Sequence, residues 1–471
     1  MDKNILHNAM NEIGDRHLAE AATYKKRKYL PWLGAIAAVL AVVLVLNFVK
    51  SPMAIRAEAL SLAGESRAME RPDRARYPDP DQWYEELRVW SAQNEQRSGV
   101  CSSSLNGMQS FLVSTCREFL SGGEENLLYS PINTYIGLAL AAEMTASSTR
   151  GQLLRLLGVE NVEALRTQVS AMWESVYRDN GKEISTLANS IWLDSSLHPR
   201  QEVMDVLAYH YYCSAYRQAL SGKQAARDIA AWLNNNTGGF LKQYTDGYAL
   251  PEETVLALYS TVYFQSKWDD EFRATNNTQA VFHAPGGDYD CTFMNAKLRQ
   301  MDYYWGESFG AVSLGLKNGS RMWLILPDPG KTPADVLAQG DYMRMVTGGY
   351  NQWEDRQYSK VNLSLPKFDI SVQAKLKDGL RNLGVTDLFD MDKADFSVSL
   401  AEPAFITAVN QSVRVAVDET GVRAAAYIEL EGAGAAAPPE EIVDFVLDRP
   451  FLFVITNQDR IPLFAGVVNE P

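Results

Sequence analysis

Residues 422–430 alternate strictly. Val422, Ala424, Ala426, Ile428 and Leu430 fall on one face, and Arg423, Ala425, Tyr427, Glu429 and Glu431 continue the other. That period of two predicts a half-buried β-strand. The pattern runs without a break into Gly432-Ala433-Gly434-Ala435-Ala436-Ala437-Pro438-Pro439-Glu440-Glu441. That stretch has the composition of an exposed loop. A strand pattern fused to a loose loop predicts a segment with two conformations.

Elsewhere the pattern divides the chain into four parts. Residues 1–29 are polar and end in the basic cluster Lys25-Lys26-Arg27-Lys28. Residues 30–49 are almost unbroken apolar sequence with Asn47 as the interior polar residue. About 20 such residues at a rise of about 1.5 Å would cross a bilayer core. The basic cluster would then hold the N-terminus in the cytoplasm and place the remainder outside. A single-pass anchor with an extracellular domain is therefore expected. A cleaved signal peptide, which would give a secreted protein, and a buried core helix are the alternatives. Residues 50–104 carry scattered prolines and mixed charge, with a helix-like piece over 81–96, and are expected to form a stalk.

From Leu105 to the C-terminus the texture is globular. A helical pattern covers residues 108–120, and Ser130-Pro131 marks the start of another helix. Strand patterns fall at residues 186–193, 255–264, 322–327, 361–365, 451–455 and 462–468. Helices dominate the first half and strands the second, without βαβ alternation, which predicts an α+β fold.

Composition narrows the function classes. A net charge of −14 argues against a nucleic-acid partner. The four cysteines (Cys101, Cys116, Cys213, Cys291) have no metal-ligand spacing and commit the chain to no disulfide. His198, His210 and His283 stand in no catalytic motif, and there is no GxSxG, HExxH or phosphate-binding glycine loop. No cofactor and no enzymatic activity are expected.

Five segments, in chain order, resemble one family. They are Asn126-x-x-x-Ser130-Pro131, Tyr263-Phe264-Gln265-Ser266-Lys267-Trp268, and Leu365-Pro366-Lys367-Phe368 with Leu383-Gly384-Val385 and Asp387-Leu388-Phe389 downstream. After these come Asp418-Glu419-Thr420-Gly421 with Ala424-Ala425-Ala426, and Asp448-Arg449-Pro450-Phe451-Leu452-Phe453 with Pro462-Leu463-Phe464-Ala465-Gly466. The chain resembles a serpin over residues 105–471, and specifically a bacterial-type serpin with an N-terminal membrane anchor.

The resemblance implies a large central, mostly antiparallel sheet, smaller sheets, about eight or nine helices and an exposed reactive loop over about 422–441. It implies inhibition without turnover. A serine protease is acylated as it cleaves the loop, and the freed segment inserts into the central sheet and traps it. Glu419, Gly421, Val422, Ala424, Ala425 and Ala426 would be the hinge; Ser130, Asn133, Ser260, Gln411 and Trp268 the shutter and breach. Counting from Gly421 by the family's convention places the reactive bond at Ala435-Ala436, and counting back from Pro450 allows Ala436-Ala437. A methyl side chain suits a shallow specificity pocket. Elastase-like or subtilisin-like serine proteases are therefore the expected partners, with papain-like cysteine proteases open, and the inhibitor is expected to act as a monomer. A non-inhibitory serpin acting as a binding module is the alternative. The hinge departs from the family at Val422, where Thr or Ser is usual; Asn133, Ser260 and Gln411 stand where Ser, Asn and His are common. Amide side chains there can still donate and accept.

Overall fold

The computed structural model describes residues 54–55, 79–179, 184–251, 253–348, 353–422 and 441–471. In chain order the elements are β1 (Ala54–Ile55), α1 (Pro80–Leu120), β2 (Leu127–Tyr129), α2 (Pro131–Met144), α3 (Ser147–Leu157), α4 (Val162–Val176), β3 (Arg178–Asp179) and β4 (Ile184–Asp194). Then follow α5 (Gln201–Tyr211), β5 (Cys213–Gln218), α6 (Lys223–Asn236), α7 (Lys242–Thr245), β6 (Leu256–Lys267), β7 (Thr278–Ala284), β8 (Gly287–Trp305), β9 (Phe309–Gly315) and β10 (Arg321–Pro327). The last group is α8 (Pro333–Gln339), α9 (Asp341–Thr347), β11 (Arg356–Pro366), β12 (Phe368–Lys375), α10 (Lys377–Asn382), β13 (Asn410–Val417), β14 (Gly421–Val422), β15 (Ile442–Val446), β16 (Phe451–Thr456) and β17 (Pro462–Val468).

These strands make two larger sheets and one separate pair. One sheet runs β1-β5-β4-β6-β14, with β3 beside β4; the other runs β15-β11-β8-β9-β10-β16-β17-β2, with β7 beside β8. Among the described residues β12 and β13 pair only with each other. Most strand pairs are antiparallel, as expected of an α+β fold; the expected absence of βαβ units does not hold at β4-α5-β5, a parallel pair joined across a helix. The strands predicted at residues 186–193, 255–264, 322–327, 361–365, 451–455 and 462–468 overlap observed ones, whereas the strand predicted at 422–430 lies outside the described residues beyond Val422.

α2 is buried on almost every side, from Pro131 to Met144. A helix apolar all round must lie inside the protein, and α2 packs between β6 and β17. Its first turn hangs from the second sheet, because the Ser130 hydroxyl donates to the Leu463 carbonyl of β17 at 2.6 Å. The helix is a fixed floor beneath the central sheet.

The helical pieces read separately at 81–96 and 108–120 form one helix. α1 runs unbroken for 41 residues, started by Asp79, whose carboxylate accepts from the Asp81 amide, and by Pro80. Cys101, Leu105, Met108, Phe111, Leu112, Cys116 and Leu120 form its buried stripe at three- and four-residue steps. The boundary expected at residue 105 falls inside this helix.

The expected membrane localisation does not hold. Among the described residues no helix is long and apolar enough to cross a membrane. The longest, α1, carries Asp81, Glu85, Glu86 and Arg88 in its first turns. The apolar run 30–49 that motivated the anchor lies outside the described residues. The four cysteines are free thiols and all are buried.

Candidate functional site

Lys367 and Glu419 meet at the upper end of β6, beside Trp268. The turn Asp418-Glu419-Thr420 folds back on itself: the Asp418 carboxylate accepts from the Thr420 amide at 2.8 Å and its hydroxyl at 2.5 Å, and Asp418 N–H donates to the Gly421 carbonyl at 3.2 Å. Trp268 holds this turn twice. Its indole N–H donates to the Asp418 carbonyl at 2.9 Å, and its amide donates to the Thr420 carbonyl at 3.1 Å. Glu419 is paired with the Lys367 ammonium and accepts from the Asn277 amide group at 2.6 Å. Burial alone would raise the Glu419 carboxyl, but Lys367 and Asn277 outweigh it and hold the group below the usual carboxylate range.

Out of this turn the chain enters the sheet. Gly421 pairs with Lys267 and Val422 with Ser266, antiparallel to β6. Val422 is 4% exposed. Gly421 has φ +156°, and a Cβ there would lie 2.4 Å from the Ser266 carbonyl oxygen and 2.5 Å from the Lys267 Cα. Only glycine lets the backbone approach β6 this closely.

Below Val422 no described strand lies between β6 and β13. Among the described residues no backbone ladder joins β6 to β13; the former pairs with β4 and β14, the latter with β12. A cavity of about 620 Å³ lies in this region, with Leu258, Ser260, Gln411, Val409, Leu138 and Asn133 among its lining. A smaller one lies higher up against Phe264, Val415 and Val422. On β13, Gln411, Val413, Val415 and Val417 are buried, and the residues between them less so. The slot therefore offers an inward-facing apolar row with one amide in it.

That amide marks the second cluster. Gln411 exchanges two hydrogen bonds with the backbone of Ser130, and its amide group also donates to the Thr134 hydroxyl at 3.1 Å. Across the slot, the Asn133 amide group donates to the Ser260 carbonyl at 2.8 Å. The N-terminal turn of α2 therefore holds both edges, β13 through Gln411 and β6 through Asn133. Among the described residues the buried Ser260 hydroxyl has no hydrogen-bond partner.

The structure thus groups the expected residues along one slot. Trp268, Glu419, Gly421 and Val422 stand at its top, and Ser130, Asn133, Ser260 and Gln411 midway down. Ala424, Ala425, Ala426, Ala435, Ala436 and Ala437 lie outside the described residues. Sequence reading missed Asn277, Thr134 and the pairing of Lys367 with Glu419. Lys367 stood in a quoted motif, but nothing in the sequence connects it to a residue 52 positions away. The three histidines are scattered: His198 pairs with Glu402 at 2.6 Å, His283 with Asp288 at 2.8 Å, and His210 packs edge-on against Tyr209.

The comparisons agree with this geometry. Residues 106–471 match the family model described as Serpin (serine protease inhibitor). Serpin-Z1C of Triticum aestivum is 26% identical over 383 residues, covering 76% of this chain and 94% of that protein. An uncharacterized serpin-like protein of Thermococcus kodakarensis is 28% identical over 378 residues, covering 78% and 85%. A wheat and an archaeal relative do not single out the bacterial type expected above. Among solved structures, the thermophilic serpin tengpin in its native state superposes with a TM-score of 0.68 at 23% identity, covering 78% of this chain and 94% of tengpin. Thyroxine-binding globulin in complex with thyroxine gives 0.65 at 18%, covering 78% and 99%. At these identities the superpositions speak for the fold alone. With the family match running from α1 to the C-terminus, and the five quoted segments set in one continuous fold, the chain belongs to the serpin family.

Proposed function

We propose that the chain inhibits serine proteases by inserting its cleaved reactive loop into the slot between β6 and β13. The observation that carries this reading is the pairing of Gly421–Val422 with β6 at the head of an open slot. The hinge is already two residues into the sheet, and the space continues below it.

Continuing the same register gives the proposed inserted state. Ala424 would stand opposite Phe264, Ala426 opposite Val262, Ile428 opposite Ser260 and Leu430 opposite Leu258. The turn at Asp418 sets the other edge, with Ala424 against Val415, Ala426 against Val413 and Ile428 against Gln411. Those β13 positions are the buried ones, so the apolar face of the loop meets the inward face of the sheet. Each fully buried Ile or Leu would contribute about 1.5–3 kcal/mol. β6 has 12 residues, a template that residues 421–432 would fill. Ala435 would then lie just past its lower end, about 43 Å from Val422 at about 3.3 Å per residue. An acylated protease would be carried that whole distance.

The chemistry follows from that displacement. The target's serine attacks the carbonyl of Ala435 or Ala436, the amide bond to the next alanine breaks, and an ester holds the loop to the enzyme. Insertion then competes with attack of water on that ester. A methyl at the cleavage position favours elastase-like or subtilisin-like enzymes, and a papain-like cysteine protease would form the corresponding thioester. One inhibitor monomer would trap one protease.

The test is a denaturing gel of the chain mixed with elastase-like and subtilisin-like enzymes, with mass spectrometry of the released peptide. The expected result is a covalent species of summed mass and cleavage at Ala435-Ala436 or Ala436-Ala437. Cleavage in the loop by several such enzymes with no covalent species would overturn the proposal and favour a binding module.

A further inference from the structure

The exposed face of the second sheet has an apolar corner at the point where the chain returns from residues 423–440. β15 follows directly on Glu441, stands at the end of its sheet and pairs in parallel with β11, with Ile442 beside Lys360 and Val446 beside Ser364. The two strands alternate in step. Ser359, Val361, Leu363 and Phe445 are buried, whereas Tyr358 is 51%, Ile442 60% and Val446 39% exposed. Polar side chains of this face are satisfied within it: Asn362 donates to Asp444 at 2.7 Å and Ser364 to Asn295 at 2.7 Å. The apolar ones stand open.

Tyr358 and Ile442 make one patch. Strands lie about 4.8 Å apart and rise about 3.3 Å per residue, so Tyr358, two positions before Lys360, stands about 8 Å from Ile442 at Cα. Three of the nine large apolar side chains exposed among the described residues fall on these two adjacent strands. Single exposed apolar residues need no explanation, but a group of them marks a surface that binds.

The position of the patch says what covers it. Ile442 stands six residues after Ala436 and five after Ala437, the residues that follow the reactive bond in its two placements. That much chain spans at most about 20 Å. A protease domain of about 200 residues has a radius of gyration of about 16 Å, so an enzyme seated on either bond reaches the patch. We propose that Tyr358 and Ile442 form a docking patch for the target protease, gripping an apolar rim beside the part of its cleft that receives the residues after the cut bond. This rests on the reading that residues 422–441 are the bait. The contact exists only while the enzyme sits at this end of the molecule. Once acylated, the enzyme is carried away along β6, so the patch governs the speed of capture and not the stability of the trapped species. It also selects among enzymes. A protease with charged groups at that rim must desolvate them against Tyr358 and Ile442, and is captured slowly even when its pocket accepts alanine.

The test is the second-order rate at which the full chain inhibits pancreatic elastase and subtilisin. Tyr358→Ser and Ile442→Ser each remove one apolar contact, and Tyr358→Phe keeps the ring. Val281→Ser is the control: this exposed residue of β7 pairs with Asp290 of β8, about 40 Å of strand away from Asp302, the partner of Tyr358. The expected result is inhibition about three- to tenfold slower in both patch serine variants with at least one enzyme, and within about twofold of the unmodified rate in Tyr358→Phe and Val281→Ser. The fraction trapped rather than cleaved and the thermal midpoint should not change. Patch serine variants within about twofold of the unmodified rate with both enzymes overturn the proposal. Faster inhibition in those variants also overturns it, because the loop itself then packs on these side chains. So does a slower rate that comes with less trapping and a lower thermal midpoint, since the side chains then serve the fold. If the unmodified chain forms no covalent species, the insertion reading alone fails, and the patch is judged by the same comparison of loop-cleavage rates.

Discussion

Gln411 and Ser130 are locked to each other by two hydrogen bonds: the Ser130 amide donates to Gln411 Oε1 at 2.8 Å, and Gln411 Nε2 donates to the Ser130 carbonyl at 3.0 Å. Both residues are buried. The pair fixes β13 to the same helix that holds β6 through Asn133, so the slot is held at a set width before anything enters it. Gln411→Ala would leave the Ser130 amide without its acceptor and is expected to destabilise the intact chain by about 1–3 kcal/mol. Urea unfolding checks this. The loop-cleaved form should lose less, because an inserted strand would then hold β13 along its length.

Gly421 is the tightest point of the hinge. Gly421→Ala would drive a methyl into the Ser266 carbonyl and the Lys267 backbone, a clash with rigid strand atoms that costs about 1–3 kcal/mol. The expected outcome is release of residues 421–422 from β6 and slower insertion. In the gel assay, more loop would be cleaved per covalent complex, while the cleavage rate itself stays near that of the unmodified chain.

Ala426→Glu tests the face assignment. In the inserted register this side chain would meet Val262 and Val413, and an unpaired carboxylate there costs several kcal/mol. Complex formation should fall by about tenfold or more, with the loop cut as before. Ala425→Glu, on the hydrated face, should change the ratio of complex to cleaved chain far less.

The Lys367–Glu419 pair sets a pH dependence. The Glu419 carboxyl is lowered in the folded chain, so its contribution to stability is complete above the unfolded carboxyl value of about 4.3 and is lost as pH falls through the lower folded value. The difference in urea midpoint between the unmodified chain and Glu419→Gln should be constant from pH 7 to 5 and shrink below about 4. A difference that grows on acidification would contradict the pairing.

Much of this was legible in the sequence, for identifiable reasons. Strands such as Phe451–Thr456 and Pro462–Val468 are runs of large apolar residues and are buried throughout, so composition marks them without alignment. Gly421 and Val422 announced themselves by the junction of a glycine turn with strict alternation. Asn126, part of a quoted segment, proves to clasp the C-terminus through the Asn469 and Glu470 amides at 2.7 and 2.9 Å. The slot itself was not legible from periodicity, because a missing strand leaves no residues to read. It came only from the resemblance. The buried Glu143 carboxylate, which accepts from Arg166 and from the Tyr211 hydroxyl, was hidden for another reason: the three residues lie on three helices, and no local pattern links them. The long α1 was split because the polar stretch Ser102-Ser103-Ser104 interrupts its apolar spacing, while Cys101 and Leu105, on either side, keep the stripe.

Hydrogen exchange along β6 and β13, before and after the loop is cut, tests the central claim most directly. Among the described residues, no ladder joins these two strands below Val422. The account predicts that cleavage at Ala435-Ala436 or Ala436-Ala437 slows exchange of their slot-facing amides by about tenfold or more, over residues 256–265 and 410–416, together with a large rise in thermal midpoint. Exchange that stays at the intact rate after complete cleavage, with no rise in thermal midpoint, would contradict insertion.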